Sequence, residues 1–138
     1  MNTANIDKQY QVLAAKINEF IPAEWKTVYL YGEVYDNTAL VYYSYTDINT
    51  DSLIEVDEMI RRYSIPRKEE MLFTVKLSHL LQEIREEFKK VDGNIWNTIT
   101  FILEHTGKFN ITFGYDNLDA STPQDRRKKW KQHYLQEN

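Results

Sequence analysis

An α+β domain is predicted: an antiparallel sheet of four to five strands with helices packed on one face. Three observations carry the prediction. Two stretches repeat apolar residues at helical spacing, two pairs of β-branched and aromatic runs are separated by turn-sized connections, and the 138 residues suit one domain spanning 1–138. The expected order is α-β-β-(β)-α-β-β-α, with the opposite face of the sheet left open.

From Ile6 to Ile21, apolar residues at Ile6, Tyr10, Leu13, Ile17 and Phe20 fall on one helical stripe, and Pro22 ends it. Trp25 to Tyr35 and Thr38 to Tyr45 then read as a hairpin about a two-residue Asp36-Asn37 turn. That turn sets Tyr31 opposite Tyr42, Glu33 opposite Leu40, Leu30 opposite Tyr43 and Val28 opposite Tyr45. Val28, Leu30, Val34 and Val41 share the more apolar face, and Tyr29, Tyr31, Glu33, Tyr35 and Tyr42 the other. Thr46 to Asp51 has turn composition, and Ser52 to Val56 suits a short strand.

Pro66 to Val91 is helix-forming throughout, with Phe73, Leu77, Leu80, Ile84, Phe88 and Val91 as its stripe and Asp92-Gly93-Asn94 as its stop. In the second hairpin a His105-Thr106-Gly107 loop sets Leu103 against Phe109, Phe101 against Ile111 and Ile99 against Phe113. One face is then wholly apolar. The other, with Thr98, Thr100, Asn110 and Thr112, is expected to meet water. Thr122-Pro123-Gln124-Asp125 opens a last helix, with Thr122 as the cap and Pro123 in the first turn.

Zero Cys removes disulfides, thiolate nucleophiles and Cys-ligated metals. The start, MNTANIDKQYQ, lacks the basic and apolar regions of a signal peptide, and no apolar run approaches the ~18 residues of a membrane span. A cytoplasmic protein without membrane contact is expected. Hydrolytic and phosphate-binding signatures fail on spacing. Gly107-Lys108 would need Gly at 102 and Ser or Thr at 109, where Ile102 and Phe109 stand. His79 and Glu83 lie one helical turn apart, but no third ligand accompanies them, and His105 and His133 are dispersed. No catalytic residue, metal or cofactor is assigned.

Two charged features remain. Between Glu33 and Ile60 stand seven acids (Glu33, Asp36, Asp47, Asp51, Glu55, Asp57, Glu58) and no Lys or Arg, and the overlapping stretch from Tyr29 to Tyr45 holds six of the ten tyrosines. Tyrosines set among carboxylates on an open sheet face suit protein recognition, and such a patch is drawn to a basic cleft of the kind a nuclease presents to phosphates. Tyr29, Tyr31, Glu33, Tyr35, Asp36, Tyr42, Asp47 and Asp51 are the expected contact set. Against this, Arg126-Arg127-Lys128-Lys129-Trp130-Lys131 places five bases in six positions. Arg126, Arg127 and Trp130 form a second-ranked contact set, and a nucleic-acid regulator using this helix is the rival reading. Trp130 and Tyr134, four residues apart, could equally dock the helix on the core. Unpaired sheet edges also leave self-association open.

Several segments together resemble one family. They are Trp25 to Val34, Tyr42 to Tyr45, the LLQEIREEFK run from Leu80 to Lys89, Trp96 to Phe101 with Gly107-Lys108-Phe109, and Trp130 to Leu135. In this order and spacing, across Ile21 to Leu135, they are similar to the YezG/EsaG-like immunity proteins of Gram-positive bacteria. Gly32 stands where that pattern favours Ala, and Ile95 where it favours Pro. The resemblance implies a cytoplasmic antitoxin that binds and neutralises the C-terminal toxic domain, often a nuclease, of an LXG-type toxin exported by the type VII route. It implies neither enzymatic activity nor direct nucleic-acid binding.

Overall fold

A computed structural model describes residues 4–91, 93 and 95–135. Helix α1 (Ala4–Phe20) precedes the hairpin β1 (Trp25–Val34) and β2 (Ala39–Asp47). The short β3 (Leu53–Glu55) leads directly into α2 (Val56–Tyr63), and α3 (Arg67–Val91) follows. A second hairpin, β4 (Thr98–Glu104) and β5 (Phe109–Gly114), is joined by a 3₁₀ turn at Leu118–Ala120 to α4 (Pro123–Tyr134). One five-stranded sheet results, in the order β3-β2-β1-β4-β5, with every neighbouring pair antiparallel.

Both hairpin registers are as the turns dictate. Tyr31 pairs with Tyr42 and Leu30 with Tyr43, and the Tyr35 amide bonds the Thr38 carbonyl at 2.8 Å across Asp36-Asn37. Leu103 pairs with Phe109 and Ile99 with Phe113, about a loop whose Gly107 has φ 95°. Fixing the registers fixes the faces. Val28, Leu30, Val34, Ile99, Phe101 and Leu103 are buried in one core with Leu13 and Ile17 of α1 and Phe73, Leu77, Leu81 and Ile84 of α3.

Within α3 the stripe is shifted slightly from expectation: Leu81 is fully buried, and Leu80 and Phe88 are only partly so. The reason is close approach at Gly32. A Cβ there would lie 2.5 Å from Leu81 Cδ1 and 3.2 Å from Ile99 Cγ2, so the absent side chain gives Leu81 its seat against β1. Of the Asp92-Gly93-Asn94 stop, Asp92 and Asn94 lie outside the described residues.

Two expectations are corrected. The short strand after Thr46 exists, but α2 immediately after it was not anticipated. Its eight residues bury Met59 and end on Ser64 in the left-handed region (φ 50°), a polar, short element with no long apolar repeat to announce it. More consequentially, the second face of the sheet is not open. Helix α4 lies on it, burying Thr98, Thr100 and Tyr31, while Asn110 and Thr112 stay exposed.

Candidate functional site

Helix α4 starts where its cap predicts. The Thr122 hydroxyl accepts from the Asp125 amide at 3.1 Å, with Pro123 in the first turn. From that start, Arg126 and Trp130, one helical turn apart, face the sheet. Trp130 is buried to 6% exposure and donates its indole N–H to the Thr100 hydroxyl at 2.9 Å. Its ring centroid lies 5.4 Å from Tyr31, 5.7 Å from Tyr42 and 5.4 Å from Tyr134.

Arg126 closes the other half of the contact. Its Nε donates to Glu33 Oε2 at 2.7 Å and its Nη2 to Glu33 Oε1 at 2.8 Å, a bidentate pair, while Nη1 holds the Leu118 and Ser121 carbonyls. The Tyr31 hydroxyl donates to Glu33 Oε2 at 2.7 Å and the Tyr35 hydroxyl to Oε1 at 3.4 Å. Glu33 is 1% exposed. Burial alone would raise its pKa, but the guanidinium and the two hydroxyls outweigh that and hold the carboxyl below its ordinary value. The same contact raises Arg126, and burial followed by Glu33 raises Tyr31. Beside this pair, Lys131 Nζ meets Glu55 Oε1 at 2.6 Å, and the Tyr42 hydroxyl also donates to Glu55. Arg127 and Lys131 stand over the Tyr42 ring at 5.5 and 5.3 Å.

The expected contact set is therefore distributed rather than gathered. Tyr31, Glu33 and Tyr42 lie beneath α4. From Asp36 to Asp47 the chain runs the length of β2, roughly 30 Å at strand spacing, so these two acids sit at opposite ends of the sheet. At the far end Asp47 accepts from the Asn49 and Thr50 amides at 2.8 and 3.0 Å, and these bonds lower its pKa. Asp51 pairs there with Lys26 at 2.9 Å, and Tyr29 is half-buried on β1. In the second set, Arg126 and Trp130 face inward and Arg127 is exposed.

At the near end, sequence distance conceals a cluster. The Asp36-Asn37 turn projects between two open hollows. One, of about 630 Å³, is lined by Asp36 with Glu83, Glu86 and Glu87 of α3. The other, of about 610 Å³, is lined by Tyr35, Asp36, Asp116 and Asp119. Arg85 and Lys89 bond Asp36 at 2.9 and 3.2 Å, so its carboxyl is lowered. Five acids, Glu83, Glu86, Glu87, Asp116 and Asp119, thus surround the Asp36 tip. Nothing local in the sequence places Glu83 or Glu86 of α3 beside residue 36. Among the described residues, no group of three or more His, Cys, Asp or Glu is placed to hold a metal ion.

The result is a small α+β domain with a charged hairpin tip at one end of its sheet and tyrosines locked under a helix on one face. The profile described as "Immunity protein YezG-like" matches residues 6–138, and the chain belongs to this family of immunity proteins, which act as inhibitors rather than enzymes. It is 30% identical over 121 residues to immunity protein YezG of Bacillus spizizenii, covering 88% of this chain and 75% of that one. Against immunity protein YezG of Bacillus subtilis strain 168 the identity is 28%, over 81% and 74% of the two chains. Against type VII secretion system protein EsaG of Staphylococcus aureus it is 27%, over 80% and 68%.

Proposed function

We propose that this chain is a cytoplasmic antitoxin that binds the C-terminal toxic domain of an LXG-type toxin of the type VII route, a nuclease, and blocks it stoichiometrically. Membership of the immunity family across residues 6–138 carries the reading. The type VII assignment draws on the likeness to EsaG.

The contact surface is the acidic hairpin tip. Tyr35 and Asp36 of the expected set remain at least partly exposed there, beside Glu83, Glu86, Asp116 and Asp119. A nuclease binds phosphate through a basic cleft, so a projecting acidic tip offers charge complementarity that raises the on-rate and sets orientation. Asp47 and Asp51 contribute from the far end only to a partner that spans the sheet. Tyr31, Glu33 and Tyr42 support the surface from beneath α4.

The test is co-expression with the C-terminal domain of candidate type VII toxins from the same genome, with survival, DNA integrity and co-purification as readouts. Rescue with a stable complex is expected from the wild type. The combined variant Asp36→Lys, Glu83→Lys, Asp116→Lys, Asp119→Lys should associate about tenfold or more slowly and with a weaker salt dependence. Full protection by that variant would overturn the acidic-tip surface and leave the immunity role standing. Toxicity through a route other than nucleic-acid cleavage would overturn the nuclease assignment.

A further inference from the structure

The two edges of the sheet are built differently. At one edge β3 pairs with β2 over only three residues, Ser44 to Thr46, and turns at once into a helix. Short edge strands of this kind resist pairing with another chain. At the other edge β5 runs six residues, Phe109-Asn110-Ile111-Thr112-Phe113-Gly114, without a charge, a proline or a break in register. Among the described residues, the edge thus lacks the charges, prolines and bulges that usually protect such a strand.

The ladder shows which groups are free. The Glu104 amide bonds the Lys108 carbonyl at 2.8 Å, so even-numbered residues of β5 turn their amides and carbonyls inward to β4. Phe109, Ile111 and Phe113 turn theirs outward, where no strand lies beside them among the described residues. Their side chains are half-buried on the core face, and Tyr10 and Phe101 hold the Phe109 ring at 5.9 and 5.2 Å. The strand is therefore a fixed template.

Phe109 to Phe113 also reads nearly the same in both directions: aromatic, polar, Ile, polar, aromatic. We propose that β5 pairs antiparallel with β5 of a second copy about a two-fold axis through Ile111, joining two five-stranded sheets into one continuous sheet. That register sets Phe109 opposite the partner's Phe113 and Ile111 opposite the partner's Ile111. Every outward amide and carbonyl of the three residues is then met, and apolar side chains meet apolar on the core face. On the other face Asn110 falls opposite the partner's Thr112. A two-fold interface requires such self-complementarity, and no like charges oppose it here.

Sedimentation velocity of the full chain, from micromolar to near-millimolar concentration, should show a reversible monomer–dimer equilibrium. Asn110→Lys with Thr112→Lys sets lysine against lysine across the axis at two exposed positions, and should weaken the dimer tenfold or more with an unchanged circular dichroism spectrum. The chain has no cysteine, so Ile111→Cys reports on one pairing alone. Its Cα would face its copy at about 5.5 Å, within disulfide reach, and mild oxidation should yield a covalent dimer, whereas Val75→Cys on α3 should not. A wild type monomeric at every concentration, or a lysine variant that dimerises as well as wild type, would overturn the proposal. So would failure of Ile111→Cys to cross-link. Amide-exchange protection of Ile111 that arises only with the toxin domain would assign the edge to a toxin strand and overturn it as well. Dimerisation is read by sedimentation and cross-linking of this chain alone, and toxin neutralisation by rescue, so failure of the one is distinguishable from failure of the other.

Discussion

On the face under α1 and α3, Val28, Leu30, Ile99 and Phe101 share a core with Leu13, Leu77 and Leu81, each at 0% exposure. On the face under α4, the buried groups are Tyr31, Glu33, Thr98, Thr100 and one tryptophan, and the docking depends on a bidentate ion pair and an indole hydrogen bond. The first face is held by close-packed apolar area, with no charge or hydrogen bond needed at any one position. The second is held by a few directional contacts, each of which leaves a desolvated group behind when its partner is removed. One sheet therefore carries two kinds of cohesion, and they should fail under different conditions.

The largest expected effect lies on the apolar face. Leu81→Ala empties the seat at Gly32 and should cost about 4 kcal/mol in denaturant unfolding, with no change in pH response. Next, Arg126→Met strands the Glu33 carboxylate and should cost about 3 kcal/mol near neutrality. Because the folded-state pKa of Glu33 is lowered, its contribution is complete above the ordinary glutamate value of about 4.3 and is lost as pH falls through the folded value. Acid should therefore weaken the wild type more than Arg126→Met. Equal acid slopes in the two proteins would show that the ion pair does not hold α4.

Alkali probes the opposite face. Burial raises Tyr45 to about 12, and burial with help from Asp7 raises Tyr10 to about 12. These phenols stay neutral in the fold and ionise near 10 once unfolded, so stability declines as pH rises above about 10. Absorbance of phenolate should accordingly lag in the native protein, in Arg126→Met as in the wild type. Smaller still, Trp130→Phe removes the bond to Thr100 and should cost about 1 kcal/mol while loosening α4 in amide exchange. Asp36→Asn should leave unfolding unchanged within error, since both of its ion pairs are solvent-exposed, while slowing toxin association.

Most of the fold is legible in local pattern. Turn length set both hairpin registers, helical spacing located α1 and α3, and Thr122-Pro123 located the start of α4. The candidate site was much less so. A run of seven acids in sequence suggests a patch, yet an extended strand separates Asp36 from Asp47 by the length of the sheet. Glu33, the first acid of that run, is buried against a base 93 residues away. Conversely, Glu83, Asp116 and Asp119 approach Asp36 only because α3 and the segment after β5 end at the same side. Trp130 and Tyr134 were the one local signal that α4 docks, and their spacing fits docking and exposure equally.

The sequence by itself determined the elements, the two registers and the division of each strand into an apolar and a polar side, because these depend on neighbours within a turn or a hairpin. It also carried the resemblance to the immunity family. Only the tertiary structure decided what covers the polar side, which charges are neutralised and which remain for a partner. Those outcomes depend on contacts between residues distant in the chain, where Arg126 meets Glu33 and Trp130 meets Thr100, and no local periodicity encodes such a meeting.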